Sequence, residues 1–333
     1  MKASKAKKGV SVGFIGLGKY LPEKVVTNQD LERMVETSDE WITTRTGIKE
    51  RRVVSNGQAT SDLGAYASQM ALQRAGLDPK DVELIIVATI TPDMPFPATS
   101  CIVQDKIGAR KAVCFDVSAA CSGFVHAMTV AKQFIETGAY RNALVIGAET
   151  LSTIINWKDR STCVLFGDGA GAAVLAPVAK NGILTTYLGS AGEHGDLLMV
   201  PGGGARFPAS SATLQQDLHY MKMNGGEVFK LAVRIMTESV EKVLGECGLT
   251  PEEITCLIPH QANMRIIQAV CERLNFPIEK VYLNLERYGN MSSASTITAL
   301  CEAVEDGRVK KGDLVVLVAF GGGIVWGSSV IRW

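Results

Sequence analysis

Short runs of β-branched and other apolar residues alternate with longer amphipathic segments along most of the chain. Leu84-Ile85-Ile86-Val87-Ala88, Ala143-Leu144-Val145-Ile146-Gly147, Gly171-Ala172-Ala173-Val174-Leu175 and Leu314-Val315-Val316-Leu317-Val318 have no polar face. Each is short enough for a strand, and a strand without a polar face is one covered on both sides. The segments between them, such as Asp62 to Arg74 and Val228 to Glu246, carry helical apolar spacing. The alternation predicts an α/β fold whose sheets are flanked by helices on both faces.

The pattern is also written twice. Ala75-Gly76-Leu77-Asp78-Pro79 leads into the strand at Leu84, and Cys247-Gly248-Leu249-Thr250-Pro251 leads into one at Cys256. In both, a helix stops at glycine, a proline turn follows, and a buried strand begins. A second match follows in the same order. The helix expected from Cys121 ends near Gly138, the one from Asn290 ends near Gly307, and each pair is 17 positions apart. Two matches in one order predict duplicated halves, taken as 1–180 and 181–333. The Gly/Pro/Ser-rich stretch around Pro201 to Ser211 reads as a surface excursion.

Composition narrows the class. Of 333 residues, 47% are apolar and 20% charged, which favours an extensive core over disorder. Lys+Arg and Asp+Glu both number 34, so nothing marks a nucleic-acid-binding protein. The eight cysteines form no C-x-x-C pair and no zinc spacing, and most sit in apolar runs. They predict reduced thiols and a cytoplasmic location, with no structural metal. The basic start, Met1 to Lys8, reads as a solvated tail, and no run is long enough for a membrane span.

Candidate chemistry centres on Cys121. It follows Asp116-Val117-Ser118-Ala119-Ala120 and precedes Ser122-Gly123-Phe124, where an apolar run gives way to small residues and a helix. A helix N-terminus favours thiolate over thiol; the plain alternative is a buried small hydrophobe. The duplication makes Asn290 its positional twin, and His260 follows the strand ending at Ile258. His126 reads as a helix-face residue, and His194 and His219 as loop residues. Cysteine, histidine and asparagine around one cleft point to nucleophilic catalysis. A papain-like hydrolase and acyl transfer through a thioester both use such residues, and the duplicated α/β halves favour the second. Gly13-x-x-Gly16-x-Gly18 is a weak dinucleotide signal, since its spacing is not G-x-G-x-x-G. A non-catalytic acyl-carrier scaffold has no need of all three polar residues.

Several strings, taken in order, resemble one family. They are Thr37-Ser38-Asp39-Glu40-Trp41-Ile42, Thr44-Arg45-Thr46-Gly47-Ile48, Asp116 to Phe124, Phe166-Gly167-Asp168-Gly169-Ala170, His260-Gln261-Ala262-Asn263, Tyr288-Gly289-Asn290 and Phe320-Gly321-Gly322-Gly323. From about Val10 to Trp333 the chain resembles the β-ketoacyl-[acyl-carrier-protein] synthase III family. The resemblance implies a thiolase-like five-layer αβαβα fold, a homodimer and no cofactor beyond a coenzyme A thioester substrate. Thiolases place a second cysteine late in the chain and elongating synthases a second histidine, where this chain has Asn290. Chalcone-synthase-like and hydroxymethylglutaryl-CoA-synthase-like enzymes share parts of the constellation and stand as alternatives.

The family implies decarboxylative condensation of an acyl-CoA primer, with acetyl-CoA as the expected primer, and malonyl-[acyl-carrier-protein]. Carried over by motif, Cys121 takes the acyl group, and His260 and Asn290 bind the malonyl thioester carbonyl. The N–H groups of Cys121 and Gly322 form the oxyanion hole. Trp41, Arg45, Arg160, Gly225 and Asn263 fall at coenzyme A positions, and Phe96 at the end of the acyl pocket across the dimer. Lys230, Gln261 and Arg265 are expected to meet the acyl carrier protein, with Arg308, Lys310 and Lys311 nearby. Met291 and Gly226 depart from the family pattern; Met291 is expected to alter packing only, and Gly226 to widen the tunnel.

Overall fold

The computed structural model describes residues 10–333, so the basic segment Met1 to Lys8 lies outside the described residues. The chain opens with β1 (Val12–Tyr20), β2 (Val25–Thr27), α1 (Asn28–Glu32), α2 (Asp39–Thr46), β3 (Glu50–Arg52) and α3 (Thr60–Ala75). There follow β4 (Leu84–Ala88), α4 (Thr99–Ile107), β5 (Val113–Val117), α5 (Gly123–Glu136), β6 (Ala143–Thr150) and β7 (Asp168–Pro177). Then come β8 (Gly182–Ser190), β9 (Leu198–Met199), α6 (Ser211–Gln215), β10 (Lys222–Met223), α7 (Gly225–Cys247) and β11 (Cys256–Pro259). The last are α8 (Met264–Leu274), α9 (Leu285–Tyr288), α10 (Ser293–Glu305), β12 (Leu314–Gly321) and β13 (Val325–Arg332).

Strands β1-β7-β6-β4-β5 form a five-stranded sheet, and β8-β13-β12-β11 a four-stranded one. The two orders correspond position by position. The parallel pair β4/β6 matches β11/β12, and the antiparallel pairs β6/β7 and β7/β1 match β12/β13 and β13/β8. The place of β5 is taken in the second sheet by Val281, which makes a parallel bridge to Leu257.

The repeated sequence has a repeated cause. Gly76 (φ 63°) and Gly248 (φ 64°) end α3 and α7 in the left-handed region. The following leucines close the caps, Leu77 N–H to Leu72 O at 3.1 Å and Leu249 N–H to Leu244 O at 2.9 Å. Glycine takes that conformation at little cost, so both copies carry it.

Alternation along each strand sorts side chains between two cores. Leu84, Ile86 and Ala88 face α5 and α10, whereas Ile85 and Val87 lie under α3 and α4. Val315, Leu317 and Ala319 face the same central helices, and Leu314, Val316 and Val318 face α7 and α8. The layers therefore run α3/α4, sheet, α5/α10, sheet, α7/α8, which is the thiolase-like five-layer αβαβα arrangement. Between two sheets a helix has no solvent face, and 11 of the 13 residues of α10 are buried. Among the described residues no helix is long and apolar enough to cross a membrane.

The glycines of Gly13-x-x-Gly16-x-Gly18 lie inside β1 rather than in a strand-to-helix turn. A Cβ on Gly16 would stand 2.3 Å from Ala71 O, and one on Gly18 2.1 Å from Ala67 O. They let α3 lie directly on the strand, and the dinucleotide reading gives way to packing. Gly18→Ala is therefore expected to destabilise the fold by about 2–4 kcal/mol. Gly245, exposed on α7 with no heavy atom within 4 Å of an added Cβ, sets the contrast. Gly245→Ala is expected to stabilise by about 0.5–1 kcal/mol. Urea midpoints of the two variants should move in opposite directions; a shared direction would refute the packing argument.

Candidate active site

Cys121 sits in a tight turn, Ala120–Ser122, between β5 and α5. Ala120 adopts φ 43°, a conformation that costs a residue with a side chain, and turns the chain sharply into the helix. The end of β12 presses on this turn, since a Cβ on Gly321 would stand 2.5 Å from Cys121 N. Cys121 is buried, and burial pushes its thiol up to about 12; the Ser292 hydroxyl opposes the rise and the Glu149 carboxyl adds to it. This corrects the sequence expectation. Helix α5 begins only at Gly123, and a helix terminus contributes about 2 kcal/mol at most in a partly buried site, too little to outweigh desolvation. The resting group is a thiol.

His260 follows the last residue of β11, and its N–H donates to Val318 O at 2.7 Å. The imidazole is buried, and Nδ1 meets no hydrogen-bond partner. Burial holds its pKa down at about 3, so the ring is neutral.

Asn290 is fixed by its backbone to the segment before β7. Its N–H donates to Leu165 O at 2.8 Å, and its carbonyl accepts from Gly167 N–H at 3.0 Å. Its Oδ1 accepts from Ser292 N–H at 2.8 Å. A backbone N–H can only donate, so this bond settles which end of the amide is oxygen and leaves Nδ2 as a free donor.

Cys121, His260 and Asn290 line one cavity of about 140 Å³, with apolar walls from Phe229, Ala232 and Met236. A second cavity of about 370 Å³ opens beside Cys121, walled by Ile90, Leu151, Ile154, Met221 and Val325. Cys121, Phe166 and Leu198 belong to both, so the sulfur marks their junction.

These features coincide with clear sequence and structural kinship. Residues 115–192 match the family model 3-Oxoacyl-[acyl-carrier-protein (ACP)] synthase III, and residues 244–333 match its C-terminal model. A Beta-ketoacyl-[acyl-carrier-protein] synthase III of Caldanaerobacter subterraneus subsp. tengcongensis is 59% identical over 325 residues, covering 97% of this chain and 98% of that protein. One from Clostridioides difficile is 56% identical, covering 96% and 98%. The crystal structure of 3-oxoacyl-[acyl-carrier-protein] synthase III from Aquifex aeolicus VF5 superposes with a TM-score of 0.90 at 47% identity, covering 97% of this chain and all of that one.

The chain belongs to the β-ketoacyl-[acyl-carrier-protein] synthase III family.

Of the other residues marked by the synthase III resemblance, three line a cavity and the rest lie elsewhere. Gly225 and Asn263 line the narrower one. Trp41, half-buried on α2, lies against two guanidinium groups, Arg45 at 4.6 Å and Arg160 at 5.1 Å from the ring centroid. Gly322 lines the wider cavity beside Cys121. Phe96 is 84% exposed, and Lys230 and Arg265 are exposed next to cavity-lining residues Phe229 and Ile266. Met291 packs with Tyr288, Ala294 and Leu21, away from both cavities.

Two expectations fail. Gln261 has no exposed surface, and its side chain is bonded entirely within the fold, so it cannot meet a carrier protein. Gly226 lines neither cavity, so it does not widen the tunnel.

Sequence reasoning also missed Glu149, buried at the end of β6. Its carboxyl accepts from Thr89 Oγ1, Ile90 N–H and Thr91 Oγ1 at 2.8–3.1 Å, and Ser293 Oγ lies 2.8 Å away. Burial pushes its pKa up. The available signal was one acidic residue closing an otherwise apolar run.

The His260 environment has a consequence for stability. Its folded pKa of about 3 lies below the ordinary 6.5, so between these values the unfolded chain binds the extra proton. Its contribution is complete above pH 6.5 and is lost as pH falls toward 3, by on the order of 5 kcal/mol in all. His260→Gln should flatten the loss of urea stability between pH 7 and 4, whereas parallel wild-type and variant curves would contradict this burial effect.

Proposed function

We propose that this chain initiates type II fatty acid synthesis by condensing an acyl-CoA primer, acetyl-CoA in the first instance, with malonyl-[acyl-carrier-protein]. One observation carries the reading: a nucleophile and two neutral hydrogen-bond donors line one narrow apolar cavity that meets a wider apolar one at the sulfur.

Cys121 sulfur attacks the primer carbonyl, the carbonyl carbon's bond to coenzyme A sulfur breaks, and the thiol proton leaves with coenzyme A. The oxyanion formed on the way accepts from the N–H groups of Cys121 and Gly322. The malonyl thioester then enters the narrow arm with its carbonyl oxygen toward His260 and Asn290. Loss of carbon dioxide leaves an enolate whose negative oxygen these donors hold. Its carbon attacks the acyl-Cys121 carbonyl, the carbon–sulfur bond breaks, and the Cys121 thiolate takes a proton from solvent as the 3-ketoacyl product leaves. Carbon dioxide release drives the step, which requires neither metal nor redox cofactor.

The buried state of the donors suits this chemistry. A neutral imidazole and an amide stabilise a developing oxyanion without surrendering a proton to it. Trp41, with the Arg45 and Arg160 guanidinium groups at its ring, suits the adenine and phosphates of coenzyme A. Lys230 and Arg265, exposed near the cavity mouth, suit an acidic carrier protein. Edge strand β5, with Val113 exposed, and the projecting Phe96 suit a second copy completing the acyl pocket. Free cysteines accord with a cytoplasmic setting.

Incubation with labelled acetyl-CoA should place one acetyl group on the Cys121 peptide, detected by mass analysis. Asn290→Ala should keep that self-acylation yet lose about 10²–10³-fold in malonyl decarboxylation, the scale of an oxyanion-hole donor. Retained decarboxylation would remove Asn290 from its role. Separately, Trp41→Ala should raise the KM for acetyl-CoA about tenfold with kcat little changed. A kcat loss at unchanged KM would contradict the stacking role.

A further inference from the structure

We infer that Gln261 is a positioning residue that locks the His260 turn to the Asn290 loop, so that two donors from distant stretches of chain meet one oxygen. The inference rests on the roles proposed above for His260 and Asn290.

Gln261 follows His260 directly and has no solvent exposure. All four of its side-chain bonding sites are used. Nε2 donates to Pro259 O at 2.8 Å and to Tyr282 O at 3.1 Å. Oε1 accepts from Asn284 N–H at 3.0 Å and from Leu285 N–H at 3.3 Å. Two carbonyls on one side and two N–H groups on the other admit only one orientation of the amide. The acceptor end holds the start of α9, the four-residue helix that leads through Gly289 to Asn290. One amide thus ties the residue beside His260 to the segment carrying Asn290.

A second tie fixes the same short helix from below. Glu302 of α10, itself buried, accepts from Asn284 Nδ2 at 3.1 Å, Arg287 at 2.9 Å and Tyr288 Oη at 2.8 Å. It also receives Lys19 of β1 at 3.0 Å. Helix α9 is too short to be stable by itself, so these bonds act with the burial of Leu285 and the Asn290 backbone bonds to fix its place. Neither Gln261 nor Glu302 lines the cavity containing Cys121, His260 and Asn290. Their effect on chemistry is through position, and an error of about 1 Å in a reacting group costs on the order of 10²-fold in rate.

The test uses the full-length chain and separates the two half-reactions. Gln261→Met keeps the bulk and removes every side-chain bond; Tyr288→Phe removes one tie from α9 and serves if the first variant does not fold. For each, three quantities are read: self-acylation of Cys121 by labelled acetyl-CoA, carbon dioxide release from malonyl carrier protein, and the melting temperature. For Gln261→Met the expected result is a decarboxylation kcat lower by about 10–100-fold, with self-acylation and the KM for malonyl carrier protein within about threefold. Tyr288→Phe should show the same split, with a loss of about threefold or more. Unchanged decarboxylation, or self-acylation falling in the same proportion, overturns the inference. His260→Ala and Asn290→Ala run beside them. If these two retain decarboxylation, the proposed roles fall and the inference with them; if they lose it while Gln261→Met does not, the inference alone falls.

Discussion

The site depends on how closely two central helices can approach the sheets on either side of them, and glycine sets that distance. A Cβ on Gly147 of β6 would stand 2.5 Å from Ser293 O at the start of α10. One on Gly171 of β7 would stand 2.5 Å from the Ile297 side chain of the same helix. In the other sheet, Gly321 of β12 abuts the Cys121 amide, and Gly327 of β13 would meet Val125 of α5 at 2.9 Å. Each central helix is therefore pressed against the sheet of the opposite half. Contact this close excludes water, and interiors packed at crystal-like density do not readily relax to admit it. The nucleophile ends up in a close-packed seam between two copies of one motif, reached only through the two cavities that meet at its sulfur.

Burial then decides the electrostatics. Raising the Cys121 thiol from 9.0 to about 12 opposes ionisation by about 4 kcal/mol, about twice what a helix terminus supplies even when partly buried. The same burial holds His260 near 3 and raises Glu149. No charge persists cheaply here unless a substrate brings it. A resting thiol is protected from adventitious reaction. Local dielectric, more than any single ion pair, sets the protonation states.

Legibility in the sequence followed distance along the chain. The glycine caps at Gly76 and Gly248, the apolar strands and the repeat were readable because each is decided by neighbours a few positions away. Cys121, His260 and Asn290 emerged because duplication supplied the missing long-range information. Glu149 was hidden: its partner Ser293 lies 144 positions later, and nothing local marks an acidic residue for burial. Arg51 was hidden for the same reason, a buried guanidinium that donates to Val26 O, Asn28 and Val164 O. Gln261 was misplaced because polar residues beside a motif normally face solvent, and its partners at Tyr282, Asn284 and Leu285 come from a separate turn.

The constellation also constrains how a carbanion can arise. Generating one by proton abstraction requires a base near the thioester, and the four polar residues lining the narrow cavity, Cys121, His260, Asn263 and Asn290, offer none. The Asn290 amide cannot accept a proton, with its oxygen already bonded to Ser292 N–H. A His260 ring with a pKa near 3 is too weak a base to deprotonate carbon. Glu149 lines neither cavity and is occupied by its hydroxyl and amide neighbours. A site with two donors and no available base can stabilise an enolate but cannot make one from an acetyl group. The carbanion must arrive already paired with a leaving group, and a malonyl carboxylate lost as carbon dioxide is the form of substrate that meets this condition. The third position thus bears on chemistry as well as geometry: asparagine there supplies a donor and withholds a base.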